Sequence, residues 1–158
     1  MKEEYISILK DTLRKKDDIL AQILNLSKEQ AAIISVEEVD WDAFAKNTED
    51  KGMLIDEISK LDEGFESIYE KVKEELAGNK EKYTKQISEM KLLIKSVTEK
   101  STEIQSIEAR NKQRIEAQFA KTKQTIKQAK MSTKAAMEYY DKMSKINTIN
   151  PQMMDKKS

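Results

Sequence analysis

Residues 76–83 read LAGNKEKY and separate two long stretches whose apolar residues recur at helical spacing. Gly78 suits the left-handed position that often follows a helix, and Asn79 suits the N-cap of the next helix. A connection this short brings its two flanking helices together as an antiparallel hairpin. The sequence therefore predicts a turn at Gly78–Asn79, with the second helix of the chain before it and the third after it.

The stretch before the turn predicts a helix over residues 40–77. Asp40 can cap it, and Asp42 lies in the first turn, where the helix dipole favours an acidic side chain. Gly52 and Gly64 fall inside, each costing roughly 1 kcal/mol relative to alanine. One weakly kinked helix is favoured over a break at Gly52, and the glycines are candidates for a close helix crossing. The apolar spacing of three and four residues is carried by Trp41, Phe44, Ile55, Ile58, Phe65, Tyr69, Val72 and Leu76.

The first 35 residues predict another helix, over residues 2–35. Its apolar seam has heptad spacing and is interrupted by Lys16, Ser27 and Gln30. Further apolar residues broaden this seam, so we expect the helix to have more than one neighbour.

The stretch after the turn predicts a third helix over residues 79–145. Nothing from Asn79 to Lys145 stops a helix, which at 1.5 Å per residue would be about 100 Å long. The second helix cannot cover that length, so the distal half must bend back, pack on the first helix or extend free. Residues 1–145 thus form one predicted helical domain, and residues 146–158, with the single proline, Pro151, a flexible tail.

Composition supports an all-α fold, either an elongated antiparallel helical hairpin or a three-helix bundle with coiled-coil-like helices. Three glycines and one proline are too few for the turns of a β-sandwich or barrel.

The charge of the chain is unevenly distributed. Residues 36–77 contain 14 acids and five lysines, a net charge of −9, whereas residues 109–137 carry a net charge of +7. We expect the acidic second helix to lie beside the basic distal third helix. No groove-reading motif accompanies the basic stretch, so nucleic acid is not an expected partner.

The residue types that most catalytic and metal sites need are scarce. The chain has no histidine, no cysteine and no glycine-rich phosphate loop. Neighbouring acids such as Glu74 and Glu75 diverge by about 100° on a helix, so they do not converge on a cation. We therefore predict no enzymatic activity, no cofactor and no metal.

The N-terminus contains no apolar run long enough for a signal peptide or a membrane span, so a cytoplasmic protein without membrane insertion is expected.

The stretch KQAKMSTKAAMEYYDKM, residues 127–143, is amphipathic when drawn as a helix. Its apolar face meets either the rest of the chain or a partner, and it is expected to lie beyond the reach of the second helix. Replacing Tyr139 and Met143 together by Asp would then weaken partner binding by at least about a hundredfold and leave the fold intact. The candidate binding residues are Met131, Ala135, Ala136, Tyr139, Tyr140, Met143 and Ile146.

Two stretches carry a resemblance to a known family. LKDTLRKKDDILAQILNLSKEQ, residues 9–30, and FAKNTEDKGMLIDEISKLDEGFESIYEKV, residues 44–72, resemble the FlgN-type flagellar export chaperones. The resemblance covers roughly residues 1–145 and implies a small cytosolic all-α protein. It also implies that the C-terminal helix holds the terminal helices of hook–filament junction proteins before their export. The export gate and a second copy of the chain are further candidate partners.

Two alternatives remain open from the sequence. One is a structural or tethering coiled coil that self-associates and has no role in export. The other is a protein that binds anionic lipid through the lysines of residues 121–134, although the apolar face there contains fewer large side chains than membrane-binding helices do.

Overall fold

The computed structural model describes residues 2–121, 134–135 and 137–143, and these residues form an all-helical bundle. Helix α1 spans Lys2–Ile34, α2 spans Trp41–Gly78 and α3 spans Thr84–Lys121. Residues 134, 135 and 137–143 are also helical, and we call them the C-terminal segment. The described residues contain no strand, so the predicted all-α class is confirmed.

Three apolar clusters follow one another along α1 and fix the direction of each helix. Ile6, near the start of α1, shares its cluster with Leu76 at the end of α2 and Met90 near the start of α3. Ile34, at the end of α1, shares another with residues that include Trp41 and Ile115. Helix α1 therefore runs antiparallel to α2 and parallel to α3. The predicted antiparallel arrangement of the second and third helices is confirmed.

The N-terminal cap of α2 agrees with the sequence prediction, whereas the predicted backbone conformation at its C-terminal end does not. Asp40 is the N-cap, and its side chain accepts a hydrogen bond from the Ala43 amide at 3.1 Å. Gly78 is the last residue of the helix and does not have a positive φ, so the predicted left-handed conformation is wrong. The Asn79 side chain donates to the Glu75 carbonyl at 3.1 Å. Asn79 thus caps the end of α2, and α3 begins only at Thr84.

Helix α2 is continuous through Gly52 and Gly64, as the favoured interpretation predicted. Within the part of the chain that the structure describes, a Cβ atom added at either glycine would meet no neighbouring atom within 4 Å. The idea that these glycines permit a close helix crossing is therefore wrong. They are positions in the helix where alanine would fit without a clash.

The third helix differs from the prediction of one helix over residues 79–145. Tyr139 belongs to the same apolar cluster as Ile104. In a straight helix, 35 residues would separate the two by about 50 Å. The C-terminal segment therefore lies back alongside α3, and a single straight helix is excluded. Of the alternatives left open by the sequence, folding back is the one that the structure supports. The predicted tail, residues 146–158, lies outside the described residues.

The acidic α2 forms its cross-helix ion pairs mainly with α1. Lys16 lies 2.8 Å from Asp62, and Lys2 lies 3.6 Å from Glu75. A third pair joins Asp56 to Lys142 of the C-terminal segment at 2.9 Å. Among the described residues, the carboxylates of α2 are thus paired with α1 and with the C-terminal segment, which belongs to the distal half of the predicted third helix. Residues 122–133 of the predicted basic stretch lie outside the described residues. Within the described residues, no helix is long and apolar enough to cross a membrane, and no group of acidic side chains is arranged to hold a metal ion.

Candidate functional site

The C-terminal segment lies against α2 and α3 at the middle of the bundle. Only 2% of Tyr139 and 5% of Met143 are exposed, and Ala135 and Tyr140 are half-buried. Three other predicted binding residues, Met131, Ala136 and Ile146, lie outside the described residues. The buried residues that share the cluster of Tyr139 and Met143 are Ile19, Leu20, Ile23, Ile55, Ile58, Val97 and Ile104.

The expectation that this face lies beyond the reach of α2 is wrong. The Lys51 ammonium of α2 lies 4.4 Å from the centre of the Tyr139 ring, and Lys142 pairs with Asp56 of the same helix. Replacing Tyr139 and Met143 by Asp would put two carboxylates into an apolar cluster, where an unpaired charge is strongly destabilising. That double substitution therefore cannot be expected to leave the fold intact.

A buried polar network lies beneath Tyr139, and we call it the polar floor: Lys51, Glu108, Gln30 and Asn111. Lys51 Nζ lies 3.1 Å from both Glu108 carboxylate oxygens and donates to Gln30 Oε1 at 2.9 Å. Asn111 Nδ2 donates to Gln30 Oε1 at 3.1 Å and to the Ser27 carbonyl at 3.0 Å. Burial lowers the pKa of Lys51, and the charge of Glu108 opposes that effect. The polar floor is thus a buried ion pair, Lys51–Glu108, that also contacts the side-chain amides of Gln30 and Asn111.

The two tyrosines meet this floor differently. The ring of Tyr139 lies over the Lys51 ammonium, which is a favourable cation–π geometry. Its hydroxyl contacts the Met143 sulfur at 3.8 Å. The Tyr140 hydroxyl is buried and has no hydrogen-bond partner among the described residues, which costs free energy because water has been removed from it. Burial, followed by the nearby charge of Glu108, raises the pKa of both phenols.

An open groove with a cavity volume of about 420 Å³ follows the contact between the C-terminal segment and α2. Gly52 and Asp56 of α2 line it, together with Ala135 and Lys142. Met53, which also lines the groove, is 62% exposed. The C-terminal segment is therefore buried on one face and accessible along its edge.

The sequence analysis did not identify the polar floor. Its only local signal is that Gln30 and Lys51 occupy positions in otherwise apolar helical seams. Polar residues at such positions often fix the register of packed helices at some cost in stability. Glu108 gave no such signal, because its role depends on the neighbouring helix rather than on local spacing.

The chain was compared with protein-family models, with curated proteins and with solved structures. The model described as FlgN protein matches residues 1–148. No curated protein and no solved structure gives a significant match. The match covers nearly the whole chain, including all of the described residues. This chain therefore belongs to the FlgN family of flagellar export chaperones.

Proposed function

We propose that this export chaperone binds hook–filament junction subunits and keeps them competent for export. The client-binding residues would lie on the apolar face that includes Ala135, Tyr139, Tyr140 and Met143. The observation that carries the proposal is the family match over residues 1–148. The resemblance described above adds the class of client and the use of the C-terminal helix.

The chemistry of the C-terminal segment supports this role. Methionine is flexible and polarisable, and tyrosine combines apolar area with a polar tip, so both suit a surface that accepts another helix. An amphipathic helix packed against an apolar partner surface is a common mode of recognition. Tyr139 and Met143 are buried within the chain, so a client would gain access to them only when the segment moves.

Calorimetry of the full chain against purified hook–filament junction proteins tests the choice of client. We expect a saturable complex with at least one of these proteins and no complex with an unrelated helical protein of similar charge. If no junction protein binds, the proposed client class is wrong.

Photo-cross-linking locates the contact in that complex. Benzoylphenylalanine replaces Tyr140 in one variant and Tyr5 in the control variant. Both tyrosines are half-buried, but Tyr5 packs against the apolar cluster at the opposite end of the bundle. We expect a client adduct from position 140 and not from position 5. Equal adducts at both positions, or an adduct from position 5 alone, would place the client elsewhere.

The alternative, a self-associating coiled coil, has less support. The seam of α1 that would form its dimer interface includes Ile6, Leu9 and Leu13. These side chains are at most 1% exposed and pack against α2 and α3 of the same chain. Sedimentation of the chain alone and with client distinguishes a self-associating protein from one that forms a complex only with its client.

A further inference from the structure

The C-terminal segment covers a surface that includes Ile55 and Ile58 of α2, Ile104 of α3 and the polar floor beneath Tyr139. We call this covered surface the docking groove, which is distinct from the open groove along the edge of the segment. We propose that this groove is itself a binding site for an amphipathic helix of the client, and that the C-terminal segment occupies it in the absence of client. The inference rests on the proposed function and adds a second client surface and a competition between two occupants.

The present occupant defines the chemistry of a helix that would fit. Tyr139 and Met143 are four residues apart and enter the apolar cluster together. Lys142, three residues after the tyrosine, reaches Asp56 at the rim of the groove. A competing helix should therefore present an aromatic residue, a basic residue three positions later and an unbranched apolar residue four positions later.

The polar floor interacts with the segment where Tyr139 meets Glu108, but its ion pair and its amide contacts are made without the segment. Lys51 belongs to α2, Gln30 to α1, and Glu108 and Asn111 to α3, and their hydrogen bonds run among these three helices. When the segment leaves, the floor therefore keeps its ion pair and its amide contacts. The Lys51 ammonium then becomes available to the aromatic ring of another helix, as it is now to Tyr139.

The segment is held by contacts that a competitor can replace. The ion pair between Lys142 and Asp56 of α2 is exposed, with 44% of the Lys142 side chain and 55% of the Asp56 side chain accessible. Among the described residues the buried Tyr140 hydroxyl has no hydrogen-bond partner, and it would regain water on release. We call the arrangement with the segment in the docking groove the closed form and the arrangement without it the open form. Because only the open form can accept a client helix, the apparent affinity for a client is the intrinsic affinity multiplied by the fraction of molecules that are open.

Cross-linking the segment to α2 tests whether opening is required. The chain has no cysteine, so Asp56→Cys and Lys142→Cys give a unique pair that a short bis-maleimide can join. The control is the same variant treated with a monofunctional maleimide. Two probes are used: a purified junction protein, and a synthetic peptide of residues 127–148 added in trans. We expect the joined protein to bind both probes at least about tenfold more weakly than the control.

Charge reversal tests the competition without altering the buried face. Lys142→Glu should tighten binding of both probes about twofold to fivefold, because it removes an exposed ion pair that favours the closed form. The charge swap Lys142→Asp with Asp56→Lys keeps an ion pair in the closed form but opposes the basic residue of either probe, so it should bind both probes more weakly than the wild type does. Lys134→Glu changes the same charge at an exposed position of the same segment and should leave the affinity within about twofold.

The outcomes separate this inference from the proposed function. If the joined and unjoined proteins bind the peptide and the junction protein equally well, the groove is not the site and the inference is overturned. If the peptide responds to joining and to Lys142→Glu but no junction protein binds, the groove is supported and the proposed client class fails. If the junction protein binds equally well in both forms and only the peptide is blocked, the client uses another surface, which also overturns the inference.

Discussion

Lys51 is fully buried and forms an ion pair with Glu108 in the middle of the bundle. Removing two charges from water is costly, and their attraction recovers that cost only when the remaining hydrogen-bonding groups are also satisfied. Gln30 and Asn111 supply those contacts here. The pair is therefore better understood as a device that fixes the relative register of α1, α2 and α3 than as a source of net stability.

Breaking this pair on one side should be far more harmful than removing it completely. Lys51→Met leaves the Glu108 carboxylate buried without its cation, so we expect the free energy of unfolding to fall by about 3–5 kcal/mol. The double variant Lys51→Met with Glu108→Leu should recover most of that loss. Urea denaturation measures both. Lys46→Met, at an exposed lysine of the same helix, is the control and should change stability by less than about 0.5 kcal/mol. If the stability loss of the double variant equalled the sum of the losses in Lys51→Met and in Glu108→Leu alone, the two charges would not be coupled.

The phenols above the floor predict a loss of stability at alkaline pH. Burial raises the pKa of Tyr139 and Tyr140 above the ordinary value of about 10. Above pH 10 the unfolded chain releases these protons while the folded chain retains them, so the free energy of unfolding falls as the pH rises. Spectrophotometric titration should show a late fraction in the folded protein, that is, tyrosine side chains that ionise only at a higher pH than an ordinary phenol does. That fraction should diminish in Tyr139→Phe/Tyr140→Phe and vanish in urea. A late fraction unchanged in the double variant would contradict the assignment.

At the scale of the helical elements, the C-terminal segment has one buried face and one exposed face. Met143 is 5% exposed within the middle cluster, whereas Met137 of the same segment is 54% exposed. Because the two residues are identical in type, they provide a matched pair for measuring how strongly the segment is docked.

Met143→Ala should release the segment more often than Met137→Ala does. Truncating a buried methionine costs about 2–5 kcal/mol, whereas a change at an exposed position usually costs less than about 0.5 kcal/mol. In hydrogen–deuterium exchange, amides of residues 137–143 should exchange at least about tenfold faster in Met143→Ala. They should change by no more than about twofold in Met137→Ala. Similar acceleration in both variants would mean that the buried face does not hold the segment in place.

The sequence predicted α1 and α2 closely because their ends and faces are encoded locally. Asp40 is a strong N-cap, and the apolar seams select the buried side of each helix. The fold-back of the third helical stretch was one of three alternatives that the sequence left open, because helical periodicity continues past Lys121 and does not encode where the chain changes direction. Likewise, the apolar face of Tyr139 and Met143 was predicted, but its intramolecular partner was not. Periodicity identifies which residues share a face and leaves open what that face meets.

At the scale of the whole molecule, charge is distributed over the exterior and at the rims of the three apolar clusters. Lys10 pairs with Glu89 at 2.8 Å and links α1 to α3. Lys2 pairs with Glu75 of α2. Such partly exposed pairs each contribute little, typically below about 1 kcal/mol. Each of them links two helices, so their small contributions all favour the assembled bundle.

Raising the ionic strength from low to physiological values should therefore lower the melting temperature. At physiological salt the Debye length is about 8 Å, so partly exposed pairs such as Lys10–Glu89 are weakened, whereas the buried Lys51–Glu108 pair is screened much less. For a chain of this size, 1 kcal/mol corresponds to about 2–4 °C, and we expect a decrease of that order. Thermal melts followed by circular dichroism measure it. The variant Lys10→Gln/Glu89→Gln should show a smaller salt response than the wild type, because one of the screened pairs is absent. A melting temperature that is constant or rises over this range would mean that the cross-helix ion pairs do not stabilise the bundle.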